Sequence, residues 1–256
     1  MTATIKRTTF IFSHKIESQI FMNPYLGELI GTFILMFLGN SINANTLLKE
    51  TFGNNSGWVI TTIGWGLAVF TAVFIAGSSS GAHINPAVTV GLAIAGRFSW
   101  SMVPGYIGMQ MLGAFLGAWG AYLQYRPHFT VTKDPEAKLG LFSTRPAIKS
   151  TFDNFVSEAL GTFVLVFAIF FLVEGDGLGS LSALPVGLLV VVIGMALGGS
   201  TGYAINPARD LGPRIFHALA PISGKRDSNW GYSWIPVVGP MVGGALAAGL
   251  YLAIKI

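Results

Sequence analysis

Ser80-Gly81-Ala82-His83-Ile84-Asn85-Pro86-Ala87 is written again, 121 residues further along, as Thr201-Gly202-Tyr203-Ala204-Ile205-Asn206-Pro207-Ala208. In each copy an Asn-Pro pair follows a Gly-containing turn and opens an apolar run. An Asn at the N-cap satisfies free backbone N–H groups of the first turn, and a Pro at the next position lacks the N–H that would otherwise be orphaned. Asn85-Pro86 and Asn206-Pro207 therefore read as helix starts. One isolated Asn-Pro is most often an ordinary helix beginning; two repeat-related copies inside apolar segments point to a duplicated device.

Working outward, Gly27-Glu28-Leu29-Ile30-Gly31-Thr32-Phe33 recurs as Ser157-Glu158-Ala159-Leu160-Gly161-Thr162-Phe163, at an offset of 130. The chain thus reads as one unit written twice. The first repeat covers about 21–125 and the second about 151–254, with a connecting loop at 126–150 and a polar tail at 1–20. That tail mixes Lys6, Arg7, His14, Lys15 and Glu17 among polar residues, unlike a signal peptide.

Composition names the solvent. The 256 residues are 52% hydrophobic and 10% charged, with a mean hydropathy of +0.62, too apolar to wet a soluble surface. No Asp, Glu, Lys or Arg occurs in 51–96, 98–125, 177–208 or 228–254. A bilayer core needs about 20 apolar residues in a helix, and stretches of that kind lie near 25–45, 57–78, 102–125, 153–173, 183–199 and 233–254. Three spans per repeat is an odd number, so the second repeat enters from the opposite face and the repeats are inverted. Residues 79–96 and 200–219 are apolar but broken by Gly-rich turns, too short for another crossing, and read as re-entrant half-helices. The expected fold is an all-α membrane protein with six transmembrane helices and two re-entrant half-helices. Gly pairs at four-residue spacing, Gly27/Gly31, Gly113/Gly117, Gly194/Gly198 and Gly239/Gly243, predict close helix approach. With no cysteine, the chain has no thiol or disulfide chemistry of its own. Its net charge of +4 is scattered over connections, which argues against nucleic acid.

Half-helices entering from opposite faces bring their N-termini together near mid-membrane, where each presents about half a positive charge and repels cations. The Asn85 and Asn206 amides would then donate to a passing oxygen, orienting it and breaking a proton wire. Arg209 follows the second Asn-Pro-Ala inside a membrane segment, where a guanidinium is costly and therefore functional or paired rather than merely snorkelling. Glu28 and Glu158 sit at equivalent positions in spanning helices. An unpaired carboxylate is costly there as well, and the alternatives are a buried strut or a proton relay. His83 has no second His, Cys or carboxylate at ligand spacing, so a structural role outweighs a metal site. Ser79 or Ser80 with His83 lacks the orienting acid and oxyanion motif that a hydrolase needs. The expectation is no enzyme, no metal and no cofactor.

The duplicated Asn-Pro-Ala, with Ser-Gly-Ala-His before the first copy and Ala-Arg-Asp after the second, resembles the major intrinsic protein (aquaporin) family, in its glycerol-facilitator branch. The resemblance covers about 21–254. It implies an aquaporin-like channel in the plasma membrane that passes glycerol, other small uncharged solutes and water, excludes ions and protons, and assembles as a homotetramer. It further implies a constriction of Trp65, Gly194, Tyr203 and Arg209, with Gly194 giving width, and makes Glu28 and Glu158 braces for the re-entrant loops. Alone, Trp65 and Tyr203 would read as packing or interfacial aromatics. The branch typically carries Phe at the position of Tyr203, whose hydroxyl makes the passage narrower and more polar. Tyr125, Asp210, Arg214, Pro236 and Val237 match further branch markers. A water-selective channel and a proton-coupled secondary transporter are the competing readings; the duplicated Asn-Pro-Ala separates a channel from the transporter.

Overall fold

In the computed structural model, residues 22–172 and 178–254 are described, and all regular structure among them is helical. The polar tail expected at 1–20 lies outside the described residues, as does the last residue of the fourth expected span, at position 173. In chain order the helices are α1 (Pro24–Leu47), α2 (Trp58–Ser80), α3 (Pro86–Ile94), α4 (Val103–Val131), α5 (Pro135–Gly140), α6 (Thr151–Leu172), α7 (Leu184–Leu197), α8 (Pro207–Leu219) and α9 (Ile235–Ile254). Single 3₁₀ turns at Trp100–Met102 and Gly179–Leu181 precede α4 and α7.

Local chemistry sets the boundaries. Pro24 opens α1 behind Asn23, whose Oδ1 accepts the Tyr25 N–H at 2.9 Å. Gly81, with φ of 77°, ends α2 in the left-handed conformation that glycine adopts without strain. α3 and α8 are the two half-helices, 9 and 13 residues long, each starting at its Asn-Pro. At 1.5 Å per residue neither is long enough to cross a 30 Å core.

α1, α2, α6 and α9 are each long and apolar enough to cross a membrane unaided. α4 has the length, 29 residues, but its apolar character is diluted by Gln110, five glycines and a polar end at Gln124-Tyr125-Arg126. It also runs past the expected end at 125 to Val131. α7 is apolar but has only 14 residues, shorter than the stretch expected at 183–199, because Pro185 fixes its start and Gly198 its end.

Packing repeats the duplication. α1 lies on α4 as α6 lies on α9, α2 meets α7 across the centre, and each half-helix rests on the last helix of the other repeat, α3 on α9 and α8 on α4. Gly113 and Gly243, 130 positions apart, are the contact points of the two tightest pairs. A methyl group on Gly113 would lie 2.5 Å from Leu29 O, and one on Gly243 would overlap Ala159 O. Gly27/Gly31 and Gly239/Gly243 likewise bring helices together, as their spacing predicts. Gly194/Gly198 does something else: it clears room for the Tyr203 ring.

Candidate functional site

Two turns, 81–85 and 202–206, carry the centre of the molecule. Their backbones are strained in register: Ala82 and Ile84 have φ of 48° and 42°, and Tyr203 and Ile205 have 39° and 43°. Left-handed geometry at a β-branched residue costs roughly 1–3 kcal/mol. A buried carboxylate holds each turn in place. Glu28, on α1, accepts the His83 N–H at 2.9 Å and the Ile84 N–H at 2.7 Å, together with the Ser80 hydroxyl and the Gln110 amide. Glu158, on α6, accepts the Ala204 and Ile205 N–H groups at 3.0 and 2.9 Å. Both glutamates are fully buried.

With their N–H groups anchored outward, the turns present their Ile carbonyls to one another's asparagines. Asn85 Nδ2 donates to Ile205 O, and Asn206 Nδ2 to Ile84 O, each at 2.8 Å. The opposite ends of the same amides cap the half-helices. Asn85 Oδ1 accepts from Ala87 N–H, and Asn206 Oδ1 from Ala208 and Arg209 N–H. Pro86, Ala87, Pro207 and Ala208 are buried at the two helix starts, where Ala87 packs on Gly244 of α9. Sequence reasoning assigned the amide hydrogens to a passing solute; one hydrogen of each Asn is spent on the opposite turn, and both residues also line the smaller cavity.

Two cavities enter the molecule from opposite ends. One, of about 920 Å³, opens beside the 132–150 connection among residues such as Lys49, Asp134 and Arg145. The other, of about 500 Å³, reaches from Arg97 and Leu172 to Asn85 and Asn206. Trp65, Tyr203 and Arg209 are walls of both, so the cavities meet at these three side chains, on the loop side of the asparagines. There the Arg209 guanidinium lies 4.0 Å from the centre of the Trp65 ring. Tyr203 Oη and Arg209 Nη1 are buried and have no hydrogen-bond partner among the described residues.

Gly194 lines neither cavity. It stands behind Tyr203, where a methyl group would come within 2.7 Å of the ring, and its carbonyl accepts from Trp58 Nε1 at 3.0 Å. Any width it provides is indirect, by letting the tyrosine lie back. His83 Nδ1 pairs with Thr89 Oγ1 at 3.2 Å, and its ring packs on Phe98 and Tyr106. Asp210 and Arg214 form a fully buried ion pair at 2.6 Å; Asp210 also accepts the Thr144 N–H and hydroxyl, and Arg214 donates to Thr144 O and Ser228 O. Tyr125 is half-buried against the cluster around Phe129 and Phe216, and Pro236 and Val237 lie at the start of α9; none of these three lines either of the two cavities. Asn43, Gln110 and Thr144 escaped the sequence reading. For the first two, an amide inside an apolar membrane span is the signal that would have found them.

An internally duplicated helical bundle with two half-helices meeting nose to nose, and a cavity leading in from each end, is an integral membrane channel. The major intrinsic protein family model matches residues 15–251. A probable glycerol uptake facilitator protein of Thermotoga maritima is 54% identical, over 90% of this chain and 98% of its own. The glycerol uptake facilitator protein of Bacillus subtilis is 51% identical, over 91% and 85%. Among solved structures, the aquaglyceroporin from Plasmodium falciparum superposes with a TM-score of 0.80 at 33% identity, covering 90% of this chain and 95% of that one. The chain belongs to the major intrinsic protein family.

Proposed function

We propose that the protein is a passive channel of the plasma membrane for glycerol, other small uncharged solutes and water, and that it excludes ions and protons. The observation that carries this reading is the pair of unpartnered buried polar atoms, Tyr203 Oη and Arg209 Nη1, where the two cavities meet opposite the indole of Trp65. A polyol has that two-sided character: hydroxyls to satisfy the polar atoms and a carbon backbone to lie on the aromatic wall. Trp65, Tyr203 and Arg209 act as the selectivity filter, with Gly194 as the spacer behind it. Asn85 and Asn206 form the pore centre, where two helix N-termini make cation passage unfavourable. Relatives named as glycerol uptake facilitators at about half identity support the same solute. Glu28 and Glu158 act as braces, since donors from the turns surround both carboxylates; this weighs against a proton relay. A homotetramer, with one pore per chain, is the assembly that the family resemblance supports.

The test is a solute panel on purified protein in liposomes, read by stopped-flow light scattering. Rapid glycerol flux without any ion gradient is expected. Water passage with glycerol excluded would favour the water-selective alternative, and flux that requires a proton or sodium gradient would favour a transporter.

A further inference from the structure

Asn43 lies on α1 one turn beyond Gly39, is 7% exposed, and joins three parts of the molecule through a single amide. Its Oδ1 accepts the Trp65 Nε1–H at 2.9 Å. Its Nδ2 donates to Leu141 O at 3.2 Å and to Gly140 O at 3.4 Å, at the C-terminal end of α5, where helix carbonyls run out of intrahelical donors. The rest of the Trp65 ring is held by shape, because a methyl group on Gly39 would overlap it, so the indole lies flush on the α1 backbone. Its free face looks onto Arg209.

We propose that Asn43 is a positioning residue that sets the channel's selectivity by clamping the Trp65 edge to α5, so that the 132–150 connection and one wall of the filter form a single hydrogen-bonded unit. This inference rests on the reading of Trp65 as a filter wall. A ring that is flush on one face, held at its edge and opposed by a guanidinium has one position. With the edge released, the indole turns about its own side-chain bonds and the aperture is no longer single-valued. Solutes that differ by one CHOH unit then lose discrimination first.

The experiment uses the full chain in liposomes and measures the ratio of glycerol to erythritol permeability. The variants are Asn43→Leu, Asn43→Ser, Trp65→Phe, and Asn43→Leu combined with Trp65→Phe. Loss of one buried hydrogen bond predicts a fall of about threefold or more in the ratio for Asn43→Leu. Trp65→Phe shifts the ratio as well, and adding Asn43→Leu to it changes nothing further, because phenylalanine offers no N–H for the amide to hold. Asn43→Ser is too short to reach Nε1 and adds no bulk, so it carries the test if the leucine variant does not fold. A normal ratio in the Asn43 variants alongside an altered one in Trp65→Phe overturns the inference and leaves the filter intact. Additive effects in the double variant overturn it too, since the amide would then act through the loop alone. A normal ratio in Trp65→Phe overturns the filter reading itself.

Discussion

At the scale of single residues, the chemistry lies in polar atoms held in apolar surroundings. A hydroxyl or guanidinium N–H in apolar surroundings needs a partner, and Tyr203 Oη and Arg209 Nη1 are two such groups with no protein partner among the described residues. On the proposed reading, water and solute hydroxyls take that place in turn, which is how a narrow point can pass polyols without binding them for long. Replacing Tyr203 with Phe removes one of these atoms and widens the opening by about one oxygen. The lost contact is one that water makes as well as glycerol, whereas the added width serves only the bulkier solute. The expected outcome is therefore a glycerol-to-water permeability ratio raised by a few-fold, about 1 kcal/mol or less, in stopped-flow measurements on the same liposomes. An unchanged ratio would show that the hydroxyl does not face the solute.

At the scale of elements, both half-helices are held by a bracket at their starts, and α8 by a second one beyond it. The inner bracket pairs each strained turn with a glutamate of its own repeat and an asparagine of the other. The outer bracket fastens α8 to the connecting loop through Asp210, Arg214 and Thr144, immediately after Arg209. Breaking one member of a buried ion pair leaves an uncompensated charge and costs about 3–5 kcal/mol, whereas replacing both members costs less. Arg214→Met should therefore lower the thermal stability of the purified protein more than Arg214→Met combined with Asp210→Asn, which keeps an acceptor for Thr144 N–H. Thermal unfolding in detergent checks the order; a double variant as unstable as the single would mean that the pair contributes no charge compensation.

At the scale of the whole molecule, much was legible because the chain writes its architecture twice. The Asn-Pro-Ala pair, the Glu28/Glu158 correspondence and the four charge-free windows together specify inverted repeats and half-helices, even though α4 is diluted by glycines and polar residues and α7 has only 14 residues. What stayed hidden depends on where loops land. The backbone partners of Asn43, Gly140 and Leu141, sit nearly a hundred positions away, at the end of a six-residue helix inside the connection. The pairing of each Asn amide with the opposite turn follows from the approach of the two turns, which spacing does not encode. Gly194/Gly198 carries the same small-residue signature as the helix contacts, and only the packed Tyr203 ring reveals its different use.

On the proposed function, neutral solutes cross by diffusion past two facing helix starts that refuse protons. This is tested most directly in liposomes carrying a pH-sensitive dye and an imposed pH difference, with glycerol uptake and internal pH followed together. Glycerol is expected to equilibrate within seconds, at a rate independent of the pH difference, while internal pH holds as steadily as in protein-free vesicles. Glycerol accumulation driven by the pH difference, or collapse of that difference on adding the protein, would contradict the proposed function.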